Sequence, residues 1–253
     1  MSRLFDLTGR RALVTGASSG LGLAIARGLA EHGAHVVLNA RNAERLAAAT
    51  ESLRADRLSA SAAAFDVTNP AEVAEAVADI ESRGAIDILI NNAGIQHRAP
   101  LEEFPEEKWQ ELFDTNVRGV FLVAREVARA MIRRGRGKIV NIASVMSELA
   151  RPGVAPYTAT KGAIRNLTRG MAADWARHGL QVNAIAPGYF RTPLNAALIE
   201  DEAFCAWLES RTPAGRWGEP HELVGAAVFL SSDASSFVNG QVIYVDGGIT
   251  ATV

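Results

Sequence analysis

Arg11-Ala12-Leu13-Val14-Thr15-Gly16-Ala17-Ser18-Ser19-Gly20-Leu21-Gly22 is the stretch that decides the fold. Residues 11–15 read as a short buried strand, and the glycines follow at once. Residues 21–32 then carry helical periodicity, with Gly33 as the stop. A strand that turns through glycine into a helix suits a dinucleotide. Gly16 allows the sharp turn, while Gly20 and Gly22 clear side chains from the space where a pyrophosphate meets the start of a helix. The spacing is Gly-x-x-x-Gly-x-Gly, not the commoner Gly-x-Gly-x-x-Gly, and a ligand-free glycine turn is the plainer alternative.

Outward from this turn, strand and helix signals alternate to the end of the chain. Strands are expected at 35–39, 62–65, 86–90, 138–142, 181–185 and 241–245. Helices are expected at 43–54, 70–83 (capped by Asn69), 106–134, 156–177 and 219–231. Continuously apolar strands separated by helices predict an α/β fold. It is a single-domain, Rossmann-type, doubly wound parallel sheet of about seven strands with helices on both faces. One domain is expected over 1–253, with a substrate-covering segment at about 189–217.

Composition narrows the function. The 253 residues are 48% hydrophobic and 21% charged with a net charge of −2, an ordinary globular balance. Near-neutrality leaves no electrostatic footprint for nucleic acid or an anionic membrane. No apolar run reaches the roughly eighteen residues of a membrane span, and the first residues lack a signal-peptide stretch. Cys205 is the only cysteine, so no internal disulfide is possible, and a cytoplasmic protein is expected. The five histidines are scattered without zinc-site spacing, and no metal is expected.

The second strand bears on the cofactor. A site for NAD usually ends this strand with an acid that accepts from the ribose 2′-hydroxyl. Here Val36-Val37-Leu38-Asn39-Ala40-Arg41-Asn42 has no acid. Arg41 instead offers a guanidinium fork to a 2′-phosphate, and Ser18 adds a hydroxyl. NADP is therefore the preferred cofactor and NAD the other possibility. Asp66-Val67 after the third strand is placed to meet the adenine edge, or else Asp66 is a turn carboxylate. Asn91-Asn92-Ala93-Gly94 follows the fourth strand at the edge where such sheets bind ligands.

Tyr157 and Lys161 stand at i and i+4 of a predicted helix, on one face, with Ser144 upstream. An ordinary phenol titrates near ~10, and an adjacent cation lowers that value. Such a tyrosine exchanges a proton with an alcohol or carbonyl, the partner event to hydride transfer. Alone, a Tyr-x-x-x-Lys pair is commonly a half-buried ring beside a solvated ammonium. Its weight comes from standing downstream of the glycine turn.

Together these residues resemble the short-chain dehydrogenase/reductase family over essentially the whole chain. The likeness runs from Thr15-Gly16-x-x-x-Gly20-x-Gly22 through Asn91-Asn92-Ala93-Gly94, Asn116, Ser144, Tyr157-x-x-x-Lys161, Pro187-Gly188-x-x-x-Thr192 and Val245-Asp246-Gly247-Gly248. The resemblance implies Tyr157 as acid/base and Ser144 as the hydrogen-bond partner of the reacting oxygen. It implies Lys161 on the nicotinamide ribose, Asn116 holding a water linked to Lys161, and Thr192 on the carboxamide. Within the family the nearer likeness is to gluconate 5-dehydrogenases, carried by Ile95-Gln96-His97-Arg98, Ser144–Leu149, Ala186–Phe190, and the stretches at 201–208 and 211–218. A sugar-acid substrate needs a cation and donors; Arg98 is expected to supply the first, with Gln96, Glu148 and Tyr189 around the polyol. The family's tetramers imply a homotetramer built on the helices at 106–134 and 156–177. Three rivals are weighed: a 3-oxoacyl-[acyl-carrier-protein] reductase docking through the Arg125, Arg129, Arg133 row, another short-chain alcohol dehydrogenase, and a non-catalytic dinucleotide-binding protein. The presence of Tyr157, Lys161 and Ser144 argues against the last.

Overall fold

The short apolar runs become seven strands among the described residues, which are 3–252 of a computed structural model; Met1, Ser2 and Val253 of the expected domain lie outside them. The strands are β1 (Arg11–Val14), β2 (His35–Ala40), β3 (Ala60–Ala64), β4 (Ile88–Asn91), β5 (Gly137–Ile142), β6 (Leu180–Pro187) and β7 (Val242–Val245). All pairings are parallel, in the order β3-β2-β1-β4-β5-β6-β7. The direction of winding reverses between β1 and β4. That switch point opens a crevice beyond the strand C-termini.

Helices α1 (Gly20–Glu31), α2 (Ala43–Ala55), α3 (Pro70–Ser82), α4 (Glu106–Phe113), α5 (Gly119–Arg134), α6 (Ala155–Trp175), α7 (Ala196–Ile199), α8 (Glu202–Arg211) and α9 (Val224–Ser231) complete the fold. Successive strand residues point to opposite faces. Ala12 and Val14 therefore join Ile25, Leu29, Leu46 and Val228 in one core, while Leu13 joins Val73, Val123, Val127 and Met131 in the other. Each buried Leu, Ile or Val contributes about 1.5–3 kcal/mol. Two covered faces explain why β4 and β5 are buried at every position.

Three elements differ from the sequence expectation. The helix at 106–134 is two helices, α4 and α5, joined by a single π-helical turn at Asp114–Arg118. The extra residue in that turn aims Asn116 inward, a device often found at functional sites. The helix at 219–231 begins as a 3-10 turn, Pro220–Leu223, with the Glu219 amide bonded to the Glu222 carboxylate at 2.8 Å, and only then becomes α9. The segment at 189–217, where no helix was expected, contains α7 and α8, the latter capped by Asp201 on the Phe204 amide at 3.0 Å. No helix among the described residues is long and apolar enough to cross a membrane.

Gly28 sets how closely α1 approaches α9. A Cβ there would lie 2.1 Å from Val224 Cγ1. Gly28→Ala is expected to destabilise by about 1–3 kcal/mol. Combined with Val224→Ala, the loss should be smaller than the sum of the two single changes. Urea denaturation of the three variants measures this, and strict additivity would contradict the contact.

Candidate active site

The ends of β1 and β4 build the glycine cradle. Thr15 Oγ1 accepts from the amides of Asn92 and Ala93, each at 3.0 Å. The Asn92 side-chain amide donates to the carbonyls of Thr15 and Gly16, at 2.9 and 3.0 Å. Two glycines make this approach possible. Gly16 has φ +63°, and a Cβ on it would meet Ala93 Cα at 2.8 Å; one on Gly22 would meet both Asn92 Nδ2 and the Gly16 carbonyl at 2.4 Å. The cradle opens into a cleft of about 280 Å³ lined by Gly16, Ser19, Gly20, Leu21, Gly22, Asn92 and Gly94 on this side. Thr192 and Pro193 cross over Gly20, and Pro187 and Gly188 at the end of β6 form the opposite wall.

At the adenosine end the picture is mixed. Arg41 lies on the surface, 3.7 Å from Asp66. Burial raises the Asp66 carboxyl, but hydrogen bonds from the Thr68 amide and hydroxyl and the charge of Arg41 outweigh it, leaving it below its usual range. Asp66 is thus an ionised turn carboxylate that holds Arg41 near the end of β2. Val67 is buried against Gly119, and Ser18 is half-buried outside the cleft lining. A residue missed by sequence reasoning joins them. Arg45, in the first turn of α2, donates to the Ser19 hydroxyl at 3.3 Å, so its guanidinium flanks the glycine turn. Its only signal was its place one turn beyond Arg41.

The proton-transfer candidates converge on the cleft from α6 and the end of β5. Lys161 is buried, and its ammonium donates to the Ile142 carbonyl at 2.7 Å. Tyr157, one turn earlier, lies with its ring centroid 5.6 Å from that ammonium and its hydroxyl near enough to Ser144 for the serine to lower the phenol's pKa. Ser144 Oγ also accepts from the Met146 amide at 3.1 Å, which fixes its rotamer. Asn116 donates to the Ile95 carbonyl (2.9 Å) and Thr160 hydroxyl (3.2 Å) and accepts from the Ile95 amide (2.8 Å). It therefore ties the loop after β4 to the residue preceding Lys161.

Electrostatics here correct the sequence expectation. Burial pushes the Tyr157 phenol up to about 12, against the opposing pull of the Ser144 hydrogen bond and the Arg98 charge. Burial likewise brings Lys161 down to about 8. Desolvation outweighs the attraction that the i, i+4 spacing suggested, so the free protein holds Tyr157 as a protonated phenol.

The substrate end also departs from expectation. Gln96, Arg98 and Tyr189 line the cleft, with Arg98 donating to Gln96 Oε1 at 3.1 Å. Glu148 does not: Arg165 at 2.7 Å and the Tyr244 hydroxyl at 3.0 Å engage its carboxylate outside the lining. Arg151, which sequence reasoning overlooked, lines the cleft in its place. The Arg125, Arg129, Arg133 row is no open basic face either. Glu126 pairs with Arg125 at 3.0 Å and Arg129 at 2.7 Å.

A doubly wound sheet with a glycine cradle and a Ser-Tyr-Lys cluster at its switch point defines a nicotinamide-dependent oxidoreductase acting on CH–OH groups. The chain belongs to the short-chain dehydrogenase/reductase family, and residues 16–250 match the family profile described as enoyl-(acyl carrier protein) reductase. It is 65% identical to gluconate 5-dehydrogenase of Gluconobacter oxydans (strain 621H), over 99% of this chain and 98% of that one. It is 52% identical to 5-keto-D-gluconate 5-reductase of Escherichia coli (strain K12) over the whole of both. Among solved structures it is similar to a gluconate 5-dehydrogenase from Burkholderia cenocepacia J2315 in complex with NADP and tartrate, with 58% identity, a TM-score of 0.97 and 99% of each chain covered.

The buried Lys161 makes stability pH-dependent. Its folded pKa of about 8 lies below its ordinary 10.5, so between these values the unfolded chain binds more protons and stability rises with pH. Below about 8 the full penalty, roughly 3 kcal/mol, is present. Lys161→Met is expected to melt several degrees above the wild type at pH 7, the gap narrowing by pH 10. Calorimetry in the absence of cofactor reads this; a variant melting below the wild type at pH 7 would contradict it.

Proposed function

We propose that this protein is an NADP(H)-dependent oxidoreductase that interconverts D-gluconate and 5-dehydro-D-gluconate. One observation carries the reading. The residues lining the cleft include three cations, Arg98, Arg151 and Lys161, and no carboxylate, beside Tyr157 and Ser144. A cleft of that charge takes anions, and both a phosphorylated dinucleotide and a sugar acid are anions. The Gluconobacter and Escherichia relatives carry this activity in their names, and the Burkholderia relative holds NADP with a hydroxy-acid dianion.

The cofactor fits the residues present. Gly16, Gly20, Leu21 and Gly22 leave room for a pyrophosphate at the start of α1, with Ser19 at the turn and Asn92, Ala93 and Gly94 beside it. Arg41 and Arg45 receive the 2′-phosphate, with Ser18 nearby and Asp66 and Val67 at the adenine edge. Pro187, Gly188 and Thr192 border the nicotinamide, whose ribose Lys161 binds. When bound, this cofactor supplies or accepts the hydride.

The chain's own residues handle the proton. In the reducing direction, Tyr157 Oη gives its proton to the oxygen that develops negative charge, and Ser144 Oγ donates a hydrogen bond to the same atom. The raised phenol suits that acid role. In oxidation the phenolate takes the proton back, favoured by the Lys161 ammonium. Asn116 positions the loop after β4 and the start of α6 relative to each other. The segment at 189–217 covers the substrate within one domain. The same reading makes the protein a cytoplasmic homotetramer.

An absorbance assay at the nicotinamide band tests the proposal. Wild type should oxidise gluconate with NADP, and Tyr157→Phe should lose about 10²- to 10⁴-fold in kcat. Arg41→Ala should raise KM for NADP roughly tenfold or more while changing KM for NAD little. Turnover of gluconate by Tyr157→Phe at the wild-type rate would overturn the assignment.

A further inference from the structure

Arg98 and Arg151 both line the cleft, near enough for the charge of one to act on the other. The Ala99 amide donates to the Gly153 carbonyl at 3.2 Å, which lashes the loop after β4 to the loop before α6 and brings the two arginines together. Burial, and then the charge of Arg151, lower the Arg98 guanidinium from its ordinary value. Nothing among the lining residues offsets this charge, since none is acidic. Arg98 Nε is buried without a hydrogen-bond partner, although its Nη2 is engaged by Gln96. An orphan donor and two like charges at one place are destabilising unless an anion completes them.

We infer that Arg151 is a specificity-determining residue that closes, with Arg98, a two-guanidinium receptacle for the substrate's carboxylate. The inference rests on the sugar-acid reading above and adds to it the group that selects the acid. A carboxylate offers about four lone-pair sites and so can serve two guanidinium forks. Arg151 is suited to the task because it is held from the other side. Its guanidinium carbon lies 5.3 Å from the Phe204 ring centroid, and its charge acts on the Tyr189 phenol, lowering it against the effect of burial. Tyr189 packs in turn against Phe204 at 5.5 Å and Trp217 at 5.9 Å. The covering segment thus backs Arg151, which the loop before α6 presents, whereas the loop after β4 presents Arg98. Lys161 serves the nicotinamide ribose and Tyr157 in the reading above, so the lining cations left for the substrate's carboxylate are these two residues.

Gluconate and its neutral amide, gluconamide, separate charge from shape. Arg151→Gln should raise KM for gluconate about 10- to 100-fold, with kcat within about threefold, and should cut the preference for gluconate over gluconamide by the same factor. Arg151→Lys, which keeps the charge, should recover a large part of that preference. NADP affinity and melting temperature confirm that the variants are folded. An unchanged KM, or a fall in kcat with KM and preference intact, overturns the inference. Wild type inactive on gluconate would instead remove the sugar-acid reading. Calorimetry of gluconate and gluconamide on the NADP complex then judges Arg151 by itself, and acid and amide bound equally tightly would overturn it.

Discussion

The hydrogen bond from the buried Lys161 ammonium to the Ile142 carbonyl governs the arrangement of the cleft. It spans the last residue of β5 and the second turn of α6, so it fixes the helix that carries Tyr157 over the loop that carries Ser144. A buried ammonium with a single carbonyl partner is poorly compensated, and its pKa falls to about 8 as a result. The surrounding residues do not relieve it with an acid. They add two more cations, Arg98 and Arg151, to the same lining. The protein therefore holds a concentration of positive charge that only its ligands complete, and the phenol of Tyr157 stays protonated among these groups until they do.

The fold was legible because its signals are periodic and local. Apolar runs such as Ile88–Ile90 are continuous because both faces of the sheet are covered, and the glycines at 16 and 22 mark a turn where backbone must meet its neighbours closely. The candidate site was legible in part: Tyr157, Lys161 and Ser144 line one cleft, whereas Asn116 bonds Ile95 and Thr160 outside that lining. The π turn at 114–118 was not legible: Asp114-Thr115-Asn116-Val117 are four weak helix formers, but weak propensity does not by itself mark an extra residue in a helix. What creates it is the tertiary pairing of Asn116 with Ile95 and Thr160.

The same limit explains the misread residues. Glu148 lies close in sequence to Ser144, but Arg165, from the middle of α6, draws its carboxylate away. Arg151 had no periodic signal, and its neighbour Arg98 is more than fifty positions earlier in the chain; their meeting is produced by one backbone hydrogen bond between loops. The direction of the Tyr157 shift was inverted for a related reason. Spacing reveals which charge is near, but not how much water is removed, and here the loss of water is the larger effect.

The account therefore stands on charge selection in a cleft with cations and no acid. The most direct test is the kcat/KM of the wild type for D-gluconate against D-glucitol, the polyol with an alcohol in place of the carboxylate, both with NADP. Charge-assisted contacts from two guanidiniums predict a preference for gluconate of at least about 100-fold. Equal efficiency, or a preference for the uncharged polyol, would contradict the account.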